Sequence, residues 1–88
     1  MNITFIGGGN MARALVGGLI ARGVGSNALA VIEVDPEARS TVAARFGIAT
    51  FPQVEPAAVV NADVIVIAVK PQHVRVVARE LATLLKRQ

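Results

Sequence analysis

Three consecutive glycines, Gly7-Gly8-Gly9, lie between an aliphatic stretch and a helical pattern, and they constrain this chain more than any other feature. Residues Asn2 to Ile6 read as a short strand that the glycines close. From Asn10 to about Arg22 the apolar residues Met11, Leu15, Val16, Leu19 and Ile20 recur at helical spacing. A strand that turns sharply into a helix leaves unbonded backbone N–H groups at the helix start. The run Gly7-Gly8-Gly9-Asn10-Met11-Ala12 fits G-x-G-x-x-G/A in the strand–turn–helix setting that this pattern requires. In such a turn Gly7 permits the tight bend, Gly9 removes a side chain that would block a pyrophosphate, and Ala12 lets the helix pack close to the strand. The pyrophosphate then faces the positive end of the helix dipole. A tight turn without a ligand is the plainer alternative, and the complete context weighs against it.

The rest of the chain repeats the alternation. Gly23 and Gly25 are expected to end the first helix. Leu29 to Val34 reads as a second aliphatic strand. Asp35-Pro36 looks like an N-cap followed by proline at the first helical position, opening a helix to about Phe46 that Gly47 stops. Ile48 to Thr50 forms a brief third strand, and Glu55-Pro56 starts a short helix through Val60. Asp63 to Val69 is the fourth strand. Lys70-Pro71 leads into a last helix with Val74, Val77, Leu81, Leu84 and Leu85 on one stripe. Strands alternating with helices predict an α/β fold with a parallel sheet. Right-handed crossovers give a Rossmann-type sheet of order 3-2-1-4 with helices on both faces. A chain that is 53% hydrophobic, mostly Ala, Val, Leu and Ile, suits such a buried aliphatic sheet. No linker, repeat or low-complexity segment divides residues 1–88, which read as one domain.

Composition narrows the function classes. The formal charge of +3 is carried by arginines scattered singly, with only Lys86-Arg87 clustered, and no aromatic platform accompanies them. This argues against nucleic-acid binding. The absence of cysteine excludes disulfides and thiolate metal sites. No basic segment precedes an apolar run at the start, and Val64 to Val69 is far too short to span a bilayer. The expected setting is cytoplasmic, without membrane contact.

Glu33 and Asp35 stand roughly two dozen residues beyond Gly9, near where a ribose-binding acid is expected. An acid there accepts hydrogen bonds from ribose hydroxyls and repels a 2′-phosphate. Asp35 is equally well explained as the cap of the helix at Pro36, and Arg39 offers a partner for a 2′-phosphate, so the choice between NAD and NADP stays open. Ala68-Val69-Lys70-Pro71-Gln72 closes the fourth strand, across the switch point from the first, and its backbone should line the nicotinamide side of the cleft. Lys70 reads equally as a cofactor contact or a solvated lysine. His73, the only histidine, has no acid or nucleophile nearby in sequence and reads as structural.

Three blocks are more specific than the fold. Phe5-Ile6-Gly7-Gly8-Gly9-Asn10-Met11-Ala12, Gly17-Gly18-Leu19 and Ala68-Val69-Lys70-Pro71-Gln72, with the spacing between them, resemble the N-terminal domain of pyrroline-5-carboxylate reductases across essentially the whole chain. β-Hydroxyacid and prephenate dehydrogenases share the first block far more than the second. They remain the alternative, beside a stand-alone dinucleotide-binding module without catalysis.

The resemblance implies reduction of 1-pyrroline-5-carboxylate to proline with hydride from NADPH or NADH. By position, Ile6, Gly7, Gly8, Gly9, Asn10 and Met11 would hold the pyrophosphate. Glu33, Val34 and Asp35 would meet the adenosine ribose, and Ala68, Val69, Lys70 and Pro71 would lie beside the nicotinamide ribose. Two departures stand out. The family often has small hydroxyl residues after the second strand, where this chain has Glu33 and Asp35. Family members also continue into further strands and a helical domain that forms the dimer and the imino-acid site. No catalytic residue and no metal ligand is therefore assigned here, and imino-acid binding is expected only with the missing domain. With its fourth strand left at an edge, the chain is expected to be a homo-oligomer.

Overall fold

The computed structural model describes residues 1–85; the Lys86-Arg87 pair lies outside the described residues. The elements run β1 (Ile3–Ile6), α1 (Asn10–Ala21), a short 3-10 turn (Ser26–Ala28), β2 (Leu29–Ile32), α2 (Pro36–Phe46), β3 (Ala49–Phe51), α3 (Pro56–Val59), β4 (Val64–Ile67) and α4 (Pro71–Leu85). All strand pairs are parallel and the sheet order is β3-β2-β1-β4, as expected. Phe5 and Ile6 of β1 pair with Val31 and Ile32 on one side and with Val66 and Ile67 on the other.

Alternation along the central strands splits the core into two layers. Phe5, Leu29 and Val31 face α1 and α2, where they pack with Ala12, Val16, Val42 and Ile48. Ile6 and Ile32 face the opposite way and pack with Ala58 and Val59 of α3 and with Val77 and Leu81 of α4. Ala12 is fully buried, so α1 lies close on the sheet as the glycine-turn pattern requires. The buried Thr4 is satisfied by donating its hydroxyl to the Ala58 carbonyl at 3.0 Å. At the amino-terminal ends of the strands the Asp63 carboxylate accepts from the Asn2 N–H at 2.7 Å, and Asn2 O accepts from the Asp63 N–H at 2.8 Å. These bonds tie β1 to the start of β4.

Several expectations need correction. β2 ends at Ile32 rather than Val34, because Glu33 makes one last ladder bond to Phe51 O and the chain then turns into α2. β4 is likewise confined to Val64–Ile67, and β3 sits one residue later than expected. Gly23 takes φ +98° after α1, whereas Gly25 is extended at φ −69° and starts the 3-10 turn. On α1, Met11 and Leu15 are exposed despite their helical spacing, and Ala12 with Val16 forms the buried line. On α4 only Val77 and Leu81 are buried; Val74 and Leu85, at the margins of the stripe, are exposed. β4 is an edge strand with Val64 39% and Ile67 38% exposed.

Candidate functional site

The carboxyl ends of all four strands are tied together by three backbone bonds beyond the strands. The Gly7 N–H donates to Ile32 O at 2.8 Å, the Ala68 N–H to Ile6 O at 2.8 Å and the Glu33 N–H to Phe51 O at 2.9 Å. Above them opens a cleft of about 450 Å³. Its floor is Ile6, Gly7, Gly9 and Ile32. One wall is Glu33 and Val34 with Gln53 and Val54, and the other is Ala68, Val69 and Lys70 with the flank of α4. This is the end of the sheet, and the reversal of strand order, at which open α/β folds take their ligands.

The three glycines of the turn do different work. Gly7 has φ +108°, and a Cβ there would lie 2.7 Å from Ala68 O, so both the backbone angle and the close approach of β4 demand glycine. At Gly8 an added Cβ would come within 3.2 Å of the Glu33 side chain. At Gly9 it would meet nothing within 4 Å. The space over Gly9 is open, as it must be where a ligand's backbone-hugging group is to sit.

Gly9 is also the N-cap of α1, and no side chain caps the helix. The first turn carries no acidic residue. The first N–H groups of an α-helix have no partner within the helix, and here no capping side chain supplies one. Within that turn Arg13 donates from Nη2 to the Asn10 Oδ1 at 2.9 Å, while its buried Nε has no partner. The arrangement suits an anion at the start of α1.

Glu33 is half-buried at the end of β2, and both its carboxylate oxygens are engaged. Oε1 accepts from the Gly8 N–H at 2.7 Å and Oε2 from the Asp35 N–H at 2.9 Å. Arg39 donates from Nη1 to the Glu33 carbonyl at 2.9 Å. Asp35 caps α2 through the Ala38 N–H at 2.9 Å, so of its two readings from sequence the structure shows the cap.

Of the residues singled out in the sequence, Ile6, Gly7, Gly9, Glu33, Val34, Ala68, Val69 and Lys70 line the cleft together. Gly8, Asn10, Met11, Asp35 and Pro71 stand beside it without lining it. Lys70 is exposed on its rim. The sequence does not point to Gln53 and Val54 after β3 as cleft residues, nor does it give a place in the cleft to four residues of α4: His73, read as structural, Val76, Val77, read as core, and Glu80. The last four recur at i, i+3, i+4 and i+7, a helical stripe that could have been read beside the buried one. The described residues contain no cluster of acids or histidine that could hold a metal ion, and no helix long and apolar enough to cross a membrane.

A pyrroline-5-carboxylate reductase of Pseudomonas aeruginosa is 42% identical over 84 residues, which cover 96% of this chain and 30% of that protein. One of Vibrio alginolyticus is 39% identical over 79 residues, covering 90% and 29%. A solved pyrroline-5-carboxylate reductase from Coxiella burnetii superposes with a TM-score of 0.88 at 41% identity, over 99% of this chain and 32% of the other. The chain thus spans under a third of the length of these relatives. The family model described as NADP oxidoreductase, coenzyme F420-dependent, matches residues 2–88. With its fold, its glycine turn and that match in agreement, the chain belongs to this family of nicotinamide-dinucleotide-binding oxidoreductases.

Proposed function

We propose that this chain is the cofactor-binding part of a pyrroline-5-carboxylate reductase, which reduces 1-pyrroline-5-carboxylate to L-proline in proline biosynthesis. The carrying observation is the uncapped glycine turn, sterically open at Gly9, in a chain 41–42% identical to such reductases over nearly all its length. In this reading residues 1–88 are one cofactor domain. The segment from Ile6 to Met11 holds the pyrophosphate, Glu33 to Asp35 meets the adenosine ribose, and Ala68 to Pro71 borders the nicotinamide ribose. The dinucleotide, when bound, supplies the hydride. The chain's own residues hold and orient it at the strand ends. The imino-acid site and its proton donor belong to residues outside this chain, consistent with the share of the relatives that it covers.

We assign the preference to NADH. In this reading the Glu33 carboxylate, which lines the cleft after β2, lies near the 2′-phosphate position, and like charges there disfavour NADPH. Glu33 lines the cleft whereas Asp35, the cap of α2, stands beside it, so Glu33 is taken as the acid nearer the ribose. The working setting is the cytoplasm, with no nucleic-acid partner, and the 88-residue chain by itself self-associates through the exposed edge of β4.

Titration calorimetry of the 88-residue chain with NADH and NADPH, beside a proline-forming assay, tests the reading. Binding of both with NADH the tighter, and no turnover, is the expected result. Glu33→Ser should move the ratio of dissociation constants toward NADPH by about tenfold. Absence of any binding to the folded chain would overturn the assignment, and an unchanged ratio would shift the selectivity to Arg39 or another group. Sedimentation should give a mass above the monomer that falls when Ile67 is replaced by Lys; a concentration-independent monomer would remove the self-association.

A further inference from the structure

We infer that Glu33 holds the glycine turn in its binding conformation, and so is a positioning residue for the pyrophosphate as well as a neighbour of the ribose. The inference rests on the reading that this turn takes a pyrophosphate. A single carboxylate fastens the turn after β1, through the Gly8 N–H at 2.7 Å, to the turn after β2, through the Asp35 N–H at 2.9 Å. The Glu33 backbone is itself fixed on both sides, by its N–H to Phe51 O and by its carbonyl from Arg39 Nη1, each at 2.9 Å. The anchor is therefore rigid.

The object it anchors is the most pliable run in the chain. Glycine loses more conformational freedom on ordering than any other residue, and three stand here in succession. Gly7 is already constrained by the packing of Ala68 against it, and Gly9 by the start of α1. The bond from Gly8 to Glu33 orients the intervening peptide plane. Without it, that plane could rotate, and the ordering would be charged against ligand binding instead of folding. The bond also decides which donors remain. The Gly8 N–H is directed to Glu33, leaving those at the start of α1 for an anion. A carboxylate accepts about four hydrogen bonds, so two to the backbone still leave capacity for a ribose diol.

Two neutral variants of the 88-residue chain separate this role from charge and from ribose contact. Glu33→Gln keeps an amide oxygen that can accept from the Gly8 N–H, whereas Glu33→Ser is too short to reach it. Inorganic pyrophosphate, which has no ribose, is the probe, followed by amide shifts, with amide exchange at Gly8 measured alongside. If Glu33 only reads the ribose, the two variants bind pyrophosphate equally, and both bind it better than the parent because a negative charge is gone. If Glu33 positions the turn, Glu33→Gln binds about tenfold tighter than Glu33→Ser, and Gly8 exchanges more slowly in it by a similar factor. Equal pyrophosphate affinities overturn the inference even if exchange differs. Failure of the parent chain to bind either NADH or pyrophosphate overturns the underlying reading instead. In that case Gly8 exchange alone decides whether Glu33 holds the turn, equal rates in the two variants counting against it.

Discussion

The two strand-to-helix turns at the centre of the sheet are built on opposite plans. After β2, Asp35 caps α2 by accepting from the Ala38 N–H, Pro36 occupies the first turn and Glu37 adds an acid to it. The positive end of that helix is filled by the protein's own side chains. After β1, the N-cap Gly9 has no side chain to offer, the first turn of α1 has no acid, and the space over Gly9 is empty of protein. A helix start finished by the protein is a structural joint. One left bare beside a cleft is fitted for an anion from outside. Glu33 connects the two, taking one N–H from each turn.

The largest expected effect comes from closing the bare turn at its packed side. Gly7→Ala forces a side chain onto φ +108° and 2.7 Å from Ala68 O, and should cost about 3 kcal/mol or more of stability, read as a lower denaturation midpoint. Gly9→Val tests the open side. The chain should stay folded, with a stability loss of about 1 kcal/mol at most, while NADH binding is lost in calorimetry. Unchanged affinity in a folded variant would reduce the glycine run to a turn.

Making the first turn resemble the second is a milder intervention. Met11 is 67% exposed, so Met11→Glu places an acid on α1 without disturbing the core. It should steady the helix by about 0.3–0.5 kcal/mol and weaken NADH by about tenfold, since it opposes the pyrophosphate at the same dipole. The smallest effect on binding belongs to the finished turn: Asp35→Ala should cost about 1 kcal/mol in thermal or denaturant unfolding through the lost cap, and lower NADH affinity by only about threefold, since Asp35 meets the ribose from beside the cleft and Glu33 from within it. A loss of about tenfold or more there would mean that the ribose depends on Asp35 and not chiefly on Glu33.

What the sequence makes legible follows from how local each signal is. The glycine turn, the cap at Asp35-Pro36 and the strand order come from contiguous residues and from the handedness of crossovers. The edge position of β4 is not visible in its own residues, because Val-Ile-Val-Ile reads the same whether one side or both are paired. The bond from Gly8 to Glu33 joins residues 25 apart, and the contact of Gly7 with Ala68 crosses the sheet, so neither has a signature in a local window. The α4 wall of the cleft was within reach, since His73, Val76, Val77 and Glu80 carry a helical period. The stripe that buries Val77 and Leu81 is the stronger pattern, and it masked the one beside it.

The central claim, that the bare turn and not the finished one receives the dinucleotide pyrophosphate, is tested most directly by following backbone amide shifts of the labelled chain during titration with NADH. The account predicts the largest shifts at Gly9, Asn10 and Met11, smaller ones at Glu33 and along Ala68 to Lys70, and little change at Glu37 and Ala38 in α2. Shifts centred on the amino-terminal ends of the strands, around Asn2, Asn27 and Asn61, or none at Gly9 to Met11 while NADH binds, would contradict it.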